Sequence, residues 1–401
     1  MAEPLAGPLA GYRVVDLTAN VLGPLATQLL GDAGADIIKI EAPGGDPMRH
    51  VGPKRSPGMG SMFANLNRNK RSVALDLKDR ADLDVLMDLI SEADIFVHTV
   101  RPAAVRRLGL GYEQLAVDFP RLVYASASGF RRGTSEEDSP AFDDTIQGRS
   151  GLAWLNRDKD GALRFLPTVI ADKFCGHVLA HAITLAMVHR ERTGEGQEVC
   201  VPMMDTMTAF NLIEHLWGAT IREPEQGLGY TRLLTPNRRP YETRDGFLCV
   251  MAVNDQQWQR LFTAIGREDL KTDPRFRQLD QRAQNIDAVL GHLAAAMRTR
   301  TTAEWVAILA DADVPFTAAN SLQGVLDDPY VNEVGLLQPL EHPTEGPMLQ
   351  IAPTIELSRS PMSIRSMPPR LGQDTEAVKT ENRGRSHRGD RRRTARGSAA
   401  A

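Results

Sequence analysis

Cysteine is nearly absent. Cys175, Cys200 and Cys249 are the only three in 401 residues, far apart and without a CxxC pair. That pattern argues against a disulfide framework and a cysteine-rich zinc site, and it suits a reducing compartment. Long apolar runs are lacking as well. The most apolar helix-like stretch, Val178–Val188, is interrupted by His181 and spans about half of the roughly 20 residues a membrane crossing requires, so no membrane partner is expected. The first residues, MAEPLAGPLAGYRVVDL, carry no basic segment ahead of an apolar one; no secretory signal is expected, and the expected location is cytoplasmic. No large excess of either charge exists: 47 Lys and Arg face 51 Asp and Glu, leaving −4. No nucleic-acid partner is expected from that balance.

Three glycine signatures are missing too. There is no GxxxxGK[ST] phosphate loop and no GxSxG nucleophile elbow. After the first strand-like run only Gly23 appears, followed by Pro24, a residue suited to the first position of a helix. Gly109-Leu110-Gly111 does not follow a strand. Dinucleotide binding through the usual fingerprint is therefore not expected.

What is present is a globular pattern. Apolar residues make up 42% of the chain, enough for a sizeable core, and the length suits two domains. Strand-like runs are Tyr12–Leu17, Asp36–Glu41, Ser72–Leu77, Asp94–His98, Arg121–Ala127 and Glu198–Val201. Helix-like runs, Pro24–Ala33, Arg80–Ala93 and Phe174–Arg190, lie between most of them. This alternation predicts an α/β fold with a doubly wound, mostly parallel sheet. The texture changes after Glu223. Tyr241–Thr243 and Phe247–Ala252 flank an Arg-Asp-Gly turn, and helical patterns follow at Gln256–Ile265, Ala283–Met297 and Thr302–Ala312. The reading divides the chain into a large domain over 1–220, a small domain over 225–325, and a return to the large domain over 326–378. The last segment, 379–401, holds seven Arg and one Lys against Glu381 and Asp390, a net of +6. With almost no large apolar side chains it is expected to be disordered, either a solvated end or an anion-binding tether.

Several residues are candidates for chemistry. His177 and His181 share a helical face, but HVLAH lacks the Glu of a zincin and no third ligand is evident; no metal site is expected. Asp172, in Leu166-Pro-Thr-Val-Ile-Ala-Asp172-Lys-Phe-Cys-Gly, stands at the start of a long apolar helix. It reads as an N-cap, or as a carboxylate held where helix N–H groups can also stabilise an oxyanion. Asn67-Arg-Asn-Lys70-Arg-Ser72 puts three cations at a loop–strand junction, a candidate anion site or a solvated loop.

Taken together, these stretches resemble the class III CoA-transferases, the family of formyl-CoA and carnitine CoA-transferases and of α-methylacyl-CoA racemases. The matching pieces are VVDLT at 14–18, GP at 23–24, GADIIKIE at 34–41, NRNKRSVALDLK at 67–78 and RLGLGYEQL at 107–115. They continue with PRLVYASASGF at 120–130, ADKFCG at 171–176, RTGEGQEVCVPMMD at 192–205, RRPYETRDG at 238–246 and LGQDTEAV at 371–378. The resemblance implies a Rossmann-like large domain with a smaller α+β domain, and a homodimer of interlocked rings. It implies CoA transfer from an acyl-CoA thioester to a carboxylic acid through covalent aspartyl intermediates. Asp172 aligns with the nucleophile. No permanently bound cofactor is implied; coenzyme A enters as part of the substrate. The CoA contacts carried over are Val21, Asn69, Lys70, Thr99, Val100, Arg101, Arg107 and Asp143, with Lys70, Arg101 and Arg107 suited to phosphates.

The chain departs from the family at several points. His98-Thr-Val-Arg-Pro-Ala103 stands where Glu-Asn-Phe-Arg-Pro-Gly is common, and SGFRRGTS where SGFGQxGP is common. Val21 replaces the Gln of formyl-CoA transferase, and that enzyme's glycine-rich loop is not apparent, which argues against oxalate as acceptor. The helix that usually follows LGQDTEAV gives way to the Arg-rich segment. Phe142 occupies the position of the racemase His, so a racemase, which needs two acid/base groups, is the alternative, together with a non-catalytic CoA-binding relative.

Overall fold

The computed structural model describes residues 7–382. The β-branched runs form six parallel strands: β1 (Arg13–Leu17), β2 (Asp36–Glu41), β3 (Lys70–Ala74), β4 (Ile95–His98), β5 (Val123–Ser128) and β6 (Glu198–Pro202). Their order is β3-β2-β1-β4-β5-β6, that of a doubly wound dinucleotide-binding sheet, with a reversal between β1 and β4. Continuous apolar strands can be buried on both faces. Val14, Ile37, Val97 and Ala125 pack beneath helices Leu22–Asp32 and Ile170–Thr193. Val15, Ile38, Phe96 and Tyr124 pack with Leu86, Leu89, Ile90 and Leu115 on the other face.

β3 begins two residues earlier than Ser72 and ends at Ala74. Lys70 pairs in register with Ile37 and joins the strand because its ammonium finds partners inside. Asp16 Oδ2 (3.1 Å), Asn67 Oδ1 (3.0 Å), Thr27 Oγ1 (2.8 Å) and Pro24 O (2.9 Å) surround Lys70 Nζ. Neighbouring pairs are equally buried: Lys39–Asp46 at 2.9 Å and Arg49–Glu41 at 2.6 Å.

The chain divides into two compact units. The larger runs to Asn156, resumes over Arg164–Ala209 and again from Asn332; the smaller holds Arg157–Leu163 and Phe210–Val331. Residues 157–163 and 326–331, and likewise 210–220, fall in the smaller unit, whereas the reading from the sequence placed them in the large domain. The helix Met203–His215 runs through the boundary at Phe210, so no composition break marks it. In the smaller unit β7 (Tyr241–Glu242), β8 (Phe247–Val250) and β9 (Phe316–Ala318) form an antiparallel sheet. Trp258, Phe262, Leu293 and Trp305 build its core. The pattern over 283–297 resolves into two helices, Leu279–Gln284 and Ile286–Met297, because Asn285 leaves helical geometry with φ −114°.

Residues 375–382 are helical, which corrects the expectation that disorder begins at 379. Val378 joins the core, and Glu381 bridges Arg13 (2.5 Å) and Arg71 (2.8 Å). The remainder of the Arg-rich segment, 383–401, lies outside the described residues. Among the described residues no helix is long and apolar enough to cross a membrane.

Candidate active site

A parallel sheet leaves a crevice beyond its carboxyl ends where the strand order reverses. Here a cavity of about 200 Å³ opens at that place. Ala19 and Asn20 follow β1, Thr99, Val100 and Arg101 follow β4, Ser128 and Gly129 end β5 and start the next loop, and Met203 follows β6. Asp172 and Phe142 are also part of the wall.

Asp172 is the third residue of the 24-residue helix Ile170–Thr193. The residue before that helix is Val169, which makes no side-chain cap. Asp172 is therefore inside the first turn, not an N-cap, and its carboxylate lines the cavity near the positive end of the helix dipole. Two glycines set this placement. A Cβ on Gly176 would lie 2.8 Å from Leu22 O, and one on Gly23 would lie 2.4 Å from Thr18 Cβ, so both motifs, GP and ADKFCG, need the missing side chain for close packing.

Asp143 opens the helix Asp143–Arg149 and sits behind Asp172. Its Oδ1 accepts from the Asp172 backbone N–H at 3.0 Å, and its Oδ2 accepts from Gln147 Nε2 at 2.6 Å. Gln147 Oε1 in turn accepts from Leu166 N–H at 2.9 Å. This chain of bonds holds the start of the Asp172 helix. Burial first, and then the Asp143 charge, push the Asp172 carboxyl up to about 7. Cys175, one turn on, is buried; burial and then Asp172 push its thiol up to about 12, so it is a core residue and not a rival nucleophile.

The carried-over positions separate into two groups. Thr99, Val100 and Arg101 line the cavity; Thr99 Oγ1 accepts from Ala19 N–H at 3.3 Å, tying the β1 and β4 loops together. Val21 is buried and is not part of the cavity wall, which its neighbours Asn20 and Leu22 line instead. Lys70 and Asn69 are placed elsewhere. The Lys70 ammonium is enclosed among the oxygens given above and has no donor left for a phosphate. Burial pulls it down to about 8, with Asp16 opposing and Lys39 adding to the effect. Asn69 Nδ2 donates to Asp32 Oδ1 and to Ser363 O, both at 2.8 Å, while its Oδ1 accepts from the N–H groups of Arg365 and Ser366. It staples the C-terminal segment to the sheet. Arg107 is exposed at the end of the helix Pro102–Arg107, outside the cavity wall.

Two departures from the family pattern acquire a geometry. His98 is buried, its Nε2 2.7 Å from the Tyr124 hydroxyl, and burial pulls it down to about 4, leaving the imidazole neutral. The charged loop 131–138 is tied down by its own acids. Glu137 accepts from Arg106 at 2.8 Å, Glu136 pairs with Arg149 at 2.7 Å, and Asp138 accepts from Ala103 N–H at 2.8 Å. Glu137 and the nearby Ser139 reach the cavity wall. Sequence reasoning missed these two, and Asn20, whose φ of 66° is a left-handed conformation that Asn tolerates. Among the described residues no cluster of three or more His, Cys, Asp or Glu could hold a metal ion.

The model for CoA-transferase family III matches residues 9–375. A probable fatty acyl-CoA transferase of Mycobacterium tuberculosis is 33% identical over 344 residues, covering 82% of this chain and 86% of the relative. An acetyl-CoA:oxalate CoA-transferase of Acetobacter aceti is 34% identical, covering 83% and 88%. A succinyl-CoA:glutarate CoA-transferase of Mus musculus is 29% identical, covering 93% and 86%. A crystal structure of the same mycobacterial protein superposes with a TM-score of 0.80 at 30% identity, covering 94% of this chain and 100% of that one. A CAIB/BAIF family protein of Brucella suis gives a TM-score of 0.78 at 28% identity, with the same coverage. With its sheet order, its cavity and a family match across almost the whole described length, the chain belongs to CoA-transferase family III.

Proposed function

We propose that this protein moves CoA from an acyl-CoA thioester to an acceptor carboxylic acid, with Asp172 as the covalent nucleophile. The observation that carries the reading is a carboxylate in the first turn of a helix, facing the cavity at the sheet's point of reversal. The Asp172 carboxylate attacks the thioester carbonyl and expels CoA thiolate, a good leaving group with a thiol pKa near ~8.5. The product is a mixed anhydride. The thiolate attacks the aspartyl carbonyl and releases the first acid, leaving an aspartyl-CoA thioester. The acceptor carboxylate displaces the thiolate to form a second anhydride, and the thiolate then takes the new acyl group and frees Asp172. Backbone N–H groups at the helix start can stabilise each oxyanion. Thr99, Val100 and Arg101 support CoA binding along the β4 side of the cavity. Two of the relatives are named for acetyl or succinyl donors with oxalate or glutarate, and a third for fatty acyl-CoA, which leaves both small and long-chain acids as candidates. An interlocked homodimer is part of the proposal. Leu185 and Val188 on the long helix stay 57% and 45% exposed, an apolar surface that a second copy would cover; light scattering tests it.

Intact-mass spectrometry with a panel of acyl-CoAs is the decisive experiment. The expected result is an acyl or CoA adduct in the native protein and none in Asp172→Ala, whose turnover drops by at least ~10³-fold. Adducts that persist without Asp172 overturn its assignment. Loss of CoA binding in an otherwise folded Asp172→Ala protein would also count against it.

A further inference from the structure

The smaller unit holds a second cavity, to which the covalent steps above assign no role. Its volume is about 460 Å³. Tyr241, Val250, Met251, Leu290, Pro315 and Phe316 form an apolar wall, and Arg232, Arg238 and Arg239 stand around it. Arg238 and Arg239 occupy the turn between the helix Thr231–Leu234 and β7; Arg232 is half-buried on that helix.

Guanidiniums on a protein surface usually find carboxylates. Among the described residues none of these three has an ion pair, although the smaller unit contains acids, Glu242 near in sequence and Asp287 bonded to the neighbouring Thr235 and Asn237. Glu242 pairs with Arg298 at 3.2 Å, and Asp287 accepts from both, through Thr235 Oγ1 and Asn237 Nδ2. The acids are turned to other partners, and the cations are left facing an apolar hollow. All three act on one group: burial pushes the Tyr241 hydroxyl up to about 12, while Arg232, Arg239 and Arg238 oppose the rise. A concave apolar wall with convergent polar groups is the form of a small-molecule site. Planar guanidiniums match a carboxylate with two parallel hydrogen bonds.

We infer that this cavity binds an organic carboxylate with an apolar body, its charge met by Arg238, Arg239 and Arg232 and its body lying along Phe316 and Leu290. The choice of an organic acid rests on the transferase reading; the anion site itself rests on the arginines. Cys249 lines the same wall and is partly exposed, so its thiol reports occupancy.

The test uses the full chain and 4-phenylbutanoate as probe, with calorimetry for affinity and iodoacetamide labelling of Cys249, read by peptide mass, for location. Binding is expected to protect Cys249 and to weaken at least tenfold in R238Q/R239Q, with inorganic phosphate and 4-phenylbutan-1-ol failing to compete. If the double variant does not fold, R232Q serves in its place. Unchanged affinity in the variants, binding without protection of Cys249, or equal competition by phosphate or the neutral alcohol overturns the inference. Probe binding that survives in a protein showing no Asp172-dependent adduct sinks the transferase reading alone. Protection by suberoyl-CoA where octanoyl-CoA gives none supports the site and assigns the carboxylate to the far end of a dicarboxylic acyl group. Protection by the free acid alone supports it with an unesterified acid.

Discussion

Lys70 is fully buried and Asp172 half-buried at a cavity wall, in two parts of the same unit, and their surroundings differ completely. Lys70 faces a carboxylate, a hydroxyl, an amide oxygen and a backbone carbonyl. Its partner Asp16 is pushed up by burial, but Lys70, Lys39 and the hydroxyls of Thr18 and Thr27 outweigh that and hold it below the usual carboxylate range. Asp172 faces an open cavity and a second carboxylate, and among the described residues it makes no ion pair. A charge whose partners are all supplied by the fold is part of the scaffold. A charge left uncompensated at a cavity is available for chemistry.

The sharpest way to break this comparison is to remove the scaffold charge. Lys70→Met leaves Asp16 buried without its nearest cation and is expected to cost about 3–5 kcal/mol, read from urea unfolding at pH 7. The folded fraction should keep its CoA affinity within about twofold. An unchanged unfolding midpoint with lost CoA affinity would return Lys70 to the ligand.

Asp172→Asn should have the opposite sign. The folded carboxyl is raised above its unfolded value, to about 7, so the cost to folding is absent below about 4, builds as pH rises between the two values and is complete above about 7. The variant is expected to gain about 1–3 kcal/mol at pH 8 and nothing at pH 4, measured as thermal midpoints at the two values.

Asp143→Asn removes the neighbouring negative charge and keeps an oxygen able to accept the Asp172 N–H. The reactive form is the carboxylate, so kcat/KM of the native protein should climb with pH through about 7. In the variant this limb should move to lower pH by up to about one unit. A limb that stays in place would mean that burial alone sets the Asp172 ionisation.

The smallest effect separates two arginines. Arg101 lines the cavity and Arg107 does not. Arg101→Ala should raise KM for acyl-CoA several-fold, about 1 kcal/mol, and Arg107→Ala should change it by less than about twofold. The reverse result would redraw the CoA site.

Much of the fold was legible because burial on two faces leaves a plain trace. VVDL and DIIKI can only be strands inside a parallel sheet, and β2 and β6 begin where the alternation places them. The glycines of GP and ADKFCG were visible as letters, while their reason, the close approach to Thr18 and Leu22, belongs to three dimensions. The Arg-rich end shows the limit of composition. Charge and low hydropathy suggested disorder from 379, yet Glu381 is held in a helix by Arg13, 368 residues away in sequence.

The sequence by itself determined the alternation of strand and helix, the position of Asp172 at the start of a long helix, and the set of motifs that places the chain in its family. Only the tertiary structure decided which charges are scaffold and which face the cavity. NRNKRS reads as a basic anion loop, but Asp16, Thr27 and Asp32, all remote in sequence, close around Lys70 and Asn69. The reason is physical: a residue type sets what a side chain can offer, and the partners that satisfy it, brought together by the folded chain, set whether any of that offer remains for a ligand.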